Sequence, residues 1–303
     1  MNITIIGVPV DLGAGRRGVD MGPSAVRYAN LRTQLEQLHH TVRDAGNLMV
    51  PTADELAVPA QHEKLRYLEP LGDVFRRLAE ATAGAMANGE FPLIIGGDHS
   101  LSIGSVNGAA HAVAQRGGRI GLLWIDAHGD FNTAETTPSG NIHGMSVAAL
   151  TGRGHHSLTH VLAQAPAVRD ANVVYVGVRD LDALEKVAMR EAGVHVFTMH
   201  DVDRQGMADV MADAIRLAST GTAGIHVSFD MDSLDPLDAP GVGTPVPGGL
   251  NYREAHLAME MVHESGKLIS MDLVEVNPIL DLHNKTAELG VALVCSALGK
   301  KVY

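Results

Sequence analysis

The sequence predicts an α/β fold, a single domain over residues 1–303 in three α/β/α layers, with helices on both faces of a central, mostly parallel sheet. Strand-like apolar segments alternate with helical patterns along the whole chain, the order that builds a parallel sheet through helical crossovers. One of these segments, 122–125, is apolar without interruption, as expected for a strand covered on both faces. Metal-binding side chains follow it at every second position, Asp126, His128 and Asp130, and ligands in such sheets collect where strands end. No internal repeat, low-complexity tract or linker divides the chain.

In chain order, strands are expected over residues 3–8, 91–95, 120–125, 173–178, 194–197, 225–229 and 268–274. Helical patterns run over 23–37, 67–88, 101–116, 181–192, 206–219, 252–265 and 286–298. Asn88-Gly89 and Ser265-Gly266 supply C-terminal stops, and Asn251 with Glu254 three residues on reads as a capping box. Residues 49–61 read as a loop.

Of 303 residues, 46% are hydrophobic and 19% charged, a globular balance with enough chain to bury a large core. No apolar run reaches the roughly eighteen residues of a membrane span. The N-terminal strand lacks a basic leader and a cleavage site, so it does not read as a signal peptide. The lone Cys295 excludes an intrachain disulfide, suits the reducing cytoplasm, and reads as a small buried hydrophobe in the last helix. A net charge of −12, without any block of five or more Lys/Arg, argues against nucleic acid and mildly favours cationic ligands.

The chemistry gathers at the strand ends. In extended backbone, residues i, i+2 and i+4 face one side, so Asp126, His128 and Asp130 converge, whereas a helix would spread them over about 400°. The strand over 91–95 ends in Gly96-Gly97-Asp98-His99-Ser100, where glycines permit close backbone approach, His99 is a ligand candidate, and Asp98 either orients it or caps the next helix. The strand over 225–229 delivers Asp230 and Asp232, again at i and i+2. Asp235-Pro236 reads as turn chemistry. The strand over 268–274 ends in Glu275, with Asp272 before its end as a structural partner.

Around these ends lie candidate substrate contacts. Asn132, Ser139 and His143 stand in the polar loop that leaves the Asp126–His128–Asp130 strand end. Asp182 and Glu185 follow the strand over 173–178, and either complement a helix dipole or meet substrate. His39, His40, His111, His155 and His156 read as surface residues. Residues 13–18 match G-x-G-x-x-G literally, but Gly22-Pro23 restarts the helix later and no acidic residue stands about twenty positions on, so the segment reads as a flexible loop over the functional edge.

Two histidines and four aspartates, His99, His128, Asp126, Asp130, Asp230 and Asp232, exceed one tetrahedral zinc site. If two aspartates bridge, they suit two divalent cations with oxygen-rich, near-octahedral surroundings, which points to manganese more than zinc. Two such cations ~3.5–4 Å apart lower the pKa of a bridging water and generate hydroxide for hydrolysis. The resulting centre is net anionic and favours a cationic substrate. Glu275 could grip a planar guanidinium by paired hydrogen bonds, and His143 could protonate the departing amine. Two other classes compete. A deacetylase with one zinc would leave His99 and Asp130 without a task, and a non-catalytic metal protein would have no need of His143.

The motifs GGDHS (96–100), DAHGDFNT (126–133), SGNIHG (139–144), VGVRDLD (176–182), SFDMDSLDP (228–236), GTPVPGG (243–249) and EVNP (275–278) resemble, in order, those of the ureohydrolase family and its arginase branch. The resemblance implies an arginase-like fold with two Mn²⁺ per subunit and hydrolysis of L-arginine to L-ornithine and urea. It implies that His99, Asp126, Asp130 and Asp230 hold one ion and Asp126, His128, Asp230 and Asp232 the other. His143 becomes the proton shuttle, with Asp130 and Glu275 completing the catalytic set, and Thr244 joins Glu275 beside the guanidinium. Asn132 and Ser139 would receive the α-carboxylate, while Asp182 and Glu185 would hold the α-ammonium, contacts that favour arginine over agmatine. The lack of a long tail after Tyr303 resembles bacterial members, for which trimers or hexamers are expected.

Overall fold

The computed structural model describes residues 1–60, 62–162 and 165–301. The last residue of the loop expected over 49–61, and Tyr303, lie outside the described residues. Eight strands form one parallel sheet: β1 (Asn2–Val8), β2 (Thr41–Asn47), β3 (Phe91–Gly96), β4 (Ile120–Ile125), β5 (Val173–Val178), β6 (His195–Thr198), β7 (Gly224–Asp230) and β8 (Leu268–Val274). Their order across the sheet is β2-β1-β3-β8-β7-β4-β5-β6.

The uninterrupted apolar runs do serve two faces. Along β4, Leu123 and Ile125 pack into one hydrophobic cluster while Leu122 and Trp124 pack into another. The first cluster joins Val227, Phe229 and Leu273 to helices Met207–Ser219, Tyr252–Ser265 and Lys285–Ala297. The second is roofed by Val106, Ala109, Ala110 and Val113 of helix Ser102–Ala114. Cys295 is buried in the last helix, as read from the sequence.

Three departures have local causes. β2 was not foreseen because it is an edge strand with one partner, and of its residues only Val42 is buried, so its sequence carries no apolar run. The single helix expected over 23–37 is broken into Gly22–Tyr28 and Leu31–Gln37 by Asn30, whose φ of 64° is left-handed. Helix Met199–Gln205 starts at Thr198, which accepts the amide N–H of Asp201 through its side chain, and seven residues are too few to show a period.

Register positions the functional edge. Ile95, Leu273, Phe229 and Ile125 lie side by side across β3, β8, β7 and β4. The chain therefore leaves four adjacent strands at one level, and β5 stands next to β4. Residues that are far apart in sequence emerge as neighbours.

Candidate metal centre and substrate pocket

At two of these exits the same local device turns the carboxylate inward. Asp126 accepts the backbone N–H of His128 at 2.7 Å, and Asp230 accepts that of Asp232 at 2.7 Å. Trp124 donates its indole N–H to the other oxygen of Asp126 at 2.9 Å and stacks on His99 with ring centroids 3.8 Å apart. Asp130 and Glu275 adopt left-handed backbone at φ 48° and 63°. For a non-glycine residue this costs about 1–2 kcal/mol, a strain that clusters at functional sites.

Five of the six candidate ligands come together in overlapping groups, His99, Asp126 and Asp230, and Asp126, His128 and Asp232, with Asp130 beside the first. His99 Nδ1 lies 2.9 Å from carboxylate oxygens of Asp126 and Asp230 and 3.4 Å from Asp130. His128 Nδ1 lies 3.3 Å from Asp126 and 3.2 Å from Asp232. The donor set fits metal cations on the evidence of His99: its Nδ1 is buried among three carboxylates, yet none is aligned to hydrogen-bond it. A nitrogen and several oxygens converging on one point without a shared proton is the arrangement a cation completes.

Electrostatics agree. Burial, then the charge of Asp126, pushes Asp130 well above the ordinary carboxylate range, and burial, then Asp232 and Asp126, does the same to Asp230. Burial opposes charge on Asp126 too, but His128 and His99 together hold it down. Burial disfavours the charged imidazole of His128, yet Asp232 and Asp126 outweigh it and raise its affinity for a proton. Protons balance a cluster of like charges here, in the place where divalent cations do so more completely.

The pocket beside this centre is lined by Asn132, Ser139, His143, Asp182, Glu185 and Thr244, as the sequence suggested, and also by Thr137, Asn141 and Asp180. No lysine or arginine among the described residues lines it. The two alternatives left for Asp182 and Glu185 are not exclusive. Glu185 accepts the Asp182 amide at 3.1 Å at the start of helix Ala183–Ala192, and its other oxygen accepts the Phe131 amide at 2.8 Å. Asn132 donates to Asp182 at 2.9 Å, so these two candidate contacts are held to each other. Asp180 was overlooked although it stands two residues before Asp182, where the same alternation would have named it.

Glu275 is buried behind His143, and it does not line the pocket surface. Its Oε1 accepts the His99 amide at 2.9 Å and faces His143 Nδ1 at 3.4 Å. Thr244 donates to Asp232 at 2.8 Å. Asp98 proves to be a cap: it accepts the Ser100 amide, and its other oxygen accepts the Gly13 amide at 2.8 Å. The segment 13–18 is thereby fastened to the edge, for the Gly13 carbonyl also accepts the His143 amide at 3.0 Å. Asp235 accepts the Leu237 and Gly248 amides, which is turn chemistry.

Fold and site together define a class, an α/β protein with buried His/Asp groups able to hold metal ions at the carboxyl edge of a parallel sheet. The Arginase family model matches residues 1–299. A curated arginase of Bacillus caldovelox is 51% identical over 300 residues, covering 99% of both chains. The native crystal structure of the arginase from that organism superposes with a TM-score of 0.94 at 50% identity over 99% of each chain. Entamoeba histolytica arginase, solved in complex with L-ornithine, gives 0.90 at 31% identity over 99% of each chain. The chain belongs to the arginase family, whose members depend on metal.

Proposed function

We propose that this chain, acting as one catalytic unit over residues 1–303, hydrolyses the guanidinium group of L-arginine to L-ornithine and urea with two Mn²⁺ bound. The observation that carries the reading is the pair of His/Asp groups sharing Asp126, in a chain half identical to a curated arginase. His99, Asp126, Asp130 and Asp230 hold one ion, and Asp126, His128, Asp230 and Asp232 the other. When bound, the two cations supply the Lewis acidity that makes water nucleophilic near neutral pH.

The chain's own groups do the rest. The acidic lining, with no lysine or arginine among the described residues, draws in the guanidinium and the α-ammonium, the latter toward Asp182 and Glu185, with Asp180 beside them. Asn132 and Ser139 offer neutral donors to the α-carboxylate. Glu275 and Thr244 stand on the guanidinium side. Glu275 also holds His143 by its Nδ1, which leaves Nε2 to pass a proton to the departing amine. Burial works against charge on His143, but Glu275 raises its proton affinity above the ordinary value.

Among the described residues no helix is long and apolar enough to cross a membrane. We place the enzyme in the cytoplasm, as a trimer or hexamer, the assembly that the family resemblance implies. Urea release is to be measured from L-arginine and from agmatine, before chelation, after it, and after return of Mn²⁺. Arginine preference with metal dependence is expected. Preference for agmatine, or activity without metal, would overturn the assignment.

A further inference from the structure

Beneath the centre lies a fully buried ionisable pair that the reaction does not use. His226 Nε2 is 3.0 Å from Asp272 Oδ2, and both side chains are completely inaccessible. Parallel pairing sets Ser228 opposite Asp272 and His226 opposite Ser270, and His226 Nδ1 lies 2.8 Å from the Ser270 hydroxyl. From helix Ser102–Ala114, the hydroxyls of Ser102 and Ser105 reach Asp272 Oδ2 at 2.8 and 2.6 Å. Ser102 Oγ is 3.0 Å from Ser228 Oγ, which in turn is 2.9 Å from His99 Nε2.

The directions of these bonds follow from the inventory of donors. Burial opposes ionisation of Asp272, but His226 and the two serine hydroxyls outweigh it and keep the carboxylate charged. A carboxylate only accepts, so Ser102 must donate to it. Its single proton spent, Ser102 at 3.0 Å is the nearer acceptor for the Ser228 hydroxyl, and Asp272 Oδ2 at 3.5 Å the farther one. Ser228, its own proton spent, accepts from His99, so the proton of the imidazole sits on Nε2. The lone pair is then on Nδ1, the nitrogen aimed at Asp126 and Asp230.

We propose that Asp272, acting through Ser102 and Ser228, is a positioning residue that fixes the tautomer and ring orientation of His99 for metal binding, with His226 packed against its carboxylate at 3.0 Å. The inference rests on the reading of His99 as a metal ligand. It distinguishes Ser102 from Ser105, which touch the same carboxylate: Ser102 is on the shorter path to His99 through Ser228, which itself reaches Asp272 only at 3.5 Å, whereas Ser105 is not. Partners one step behind a ligand typically change metal affinity by roughly ten- to a hundredfold when removed.

Mn²⁺ affinity and bound stoichiometry are to be measured, by competition with a chelator, for the parent and for Asp272→Asn, Ser102→Ala, Ser102→Thr and Ser105→Ala. Thermal midpoints are to be taken with and without metal. Asp272→Asn, whose amide would turn the chain of donors around, and Ser102→Ala should each weaken one of the two ions by about tenfold or more. Ser102→Thr should restore binding, and Ser105→Ala should bind as the parent does, whatever its effect on the metal-free midpoint. Equal losses in Ser102→Ala and Ser105→Ala, or parental affinity in Asp272→Asn and Ser102→Ala, would overturn the proposal. A parent that binds no Mn²⁺ would instead strike at the proposed function.

Discussion

The carboxylate of Glu275 and the backbone of His99 are joined by a 2.9 Å hydrogen bond from the His99 amide. The end of β8 thus holds the turn that follows β3, and the same carboxylate oxygen lies 3.4 Å from His143 Nδ1. One acidic group links a candidate ligand to the candidate proton carrier.

That link makes Glu275→Gln informative. The amide preserves shape but removes the charge that supports both neighbours, and a charge-assisted bond is worth about 1.5–3 kcal/mol. The kcat/KM for L-arginine, followed by urea release, should fall roughly ten- to hundredfold. Parental activity would remove Glu275 from the reaction.

Metal binding should release protons. With Asp130 and Asp230 held well above the carboxylate range by burial and neighbouring charge, and His128 favouring its proton, cations must displace protons from the cluster. Mn²⁺ added to weakly buffered, metal-free protein at pH 7 should acidify the solution, and a pH-stat records the amount. A silent titration accompanied by tight binding would contradict the protonated cluster.

Glu185 gives a stability signature in the metal-free protein. Burial raises it from 4.5 to about 7, against the opposing hydrogen bonds from the Phe131 and Asp182 amides. Its contribution is full below the ordinary value and is lost as pH rises through about 7. Between pH 5 and pH 8 the thermal midpoint of the parent should therefore drop relative to that of Glu185→Gln. A constant difference across that range would show that Glu185 ionises normally.

A side chain at Gly97 would strike the backbone of Val10, whose carbonyl accepts the Asp98 amide at 2.8 Å. Overpacking of this kind costs about 1–3 kcal/mol, and backbone cannot step aside as a side chain can. Gly97→Ala should lower denaturant stability by at least that amount, whereas Gly84→Ala, with open space around it on a helix, should be neutral or stabilising.

Local periodicity was enough to identify much of this molecule. The faces of β4 and the capping of helix Tyr252–Ser265 by Asn251 follow from spacing along a few residues, whereas the strand alternation expected of Asp126, His128 and Asp130 does not hold, because β4 ends at Ile125 and Asp130 is left-handed. β2 escaped because an edge strand needs no apolar run, and the break at Asn30 because one left-handed residue leaves no trace in a hydrophobic pattern. What spacing could not supply was neighbourhood. That His99 faces Asp230, that Asn132 is tied to Asp182, and that Asp272 stands two hydroxyls behind His99 depend on β3, β8, β7, β4 and β5 lying side by side in register. Strand order is a property of the packed sheet, set by how the covering helices close over it, and no window of local sequence contains it.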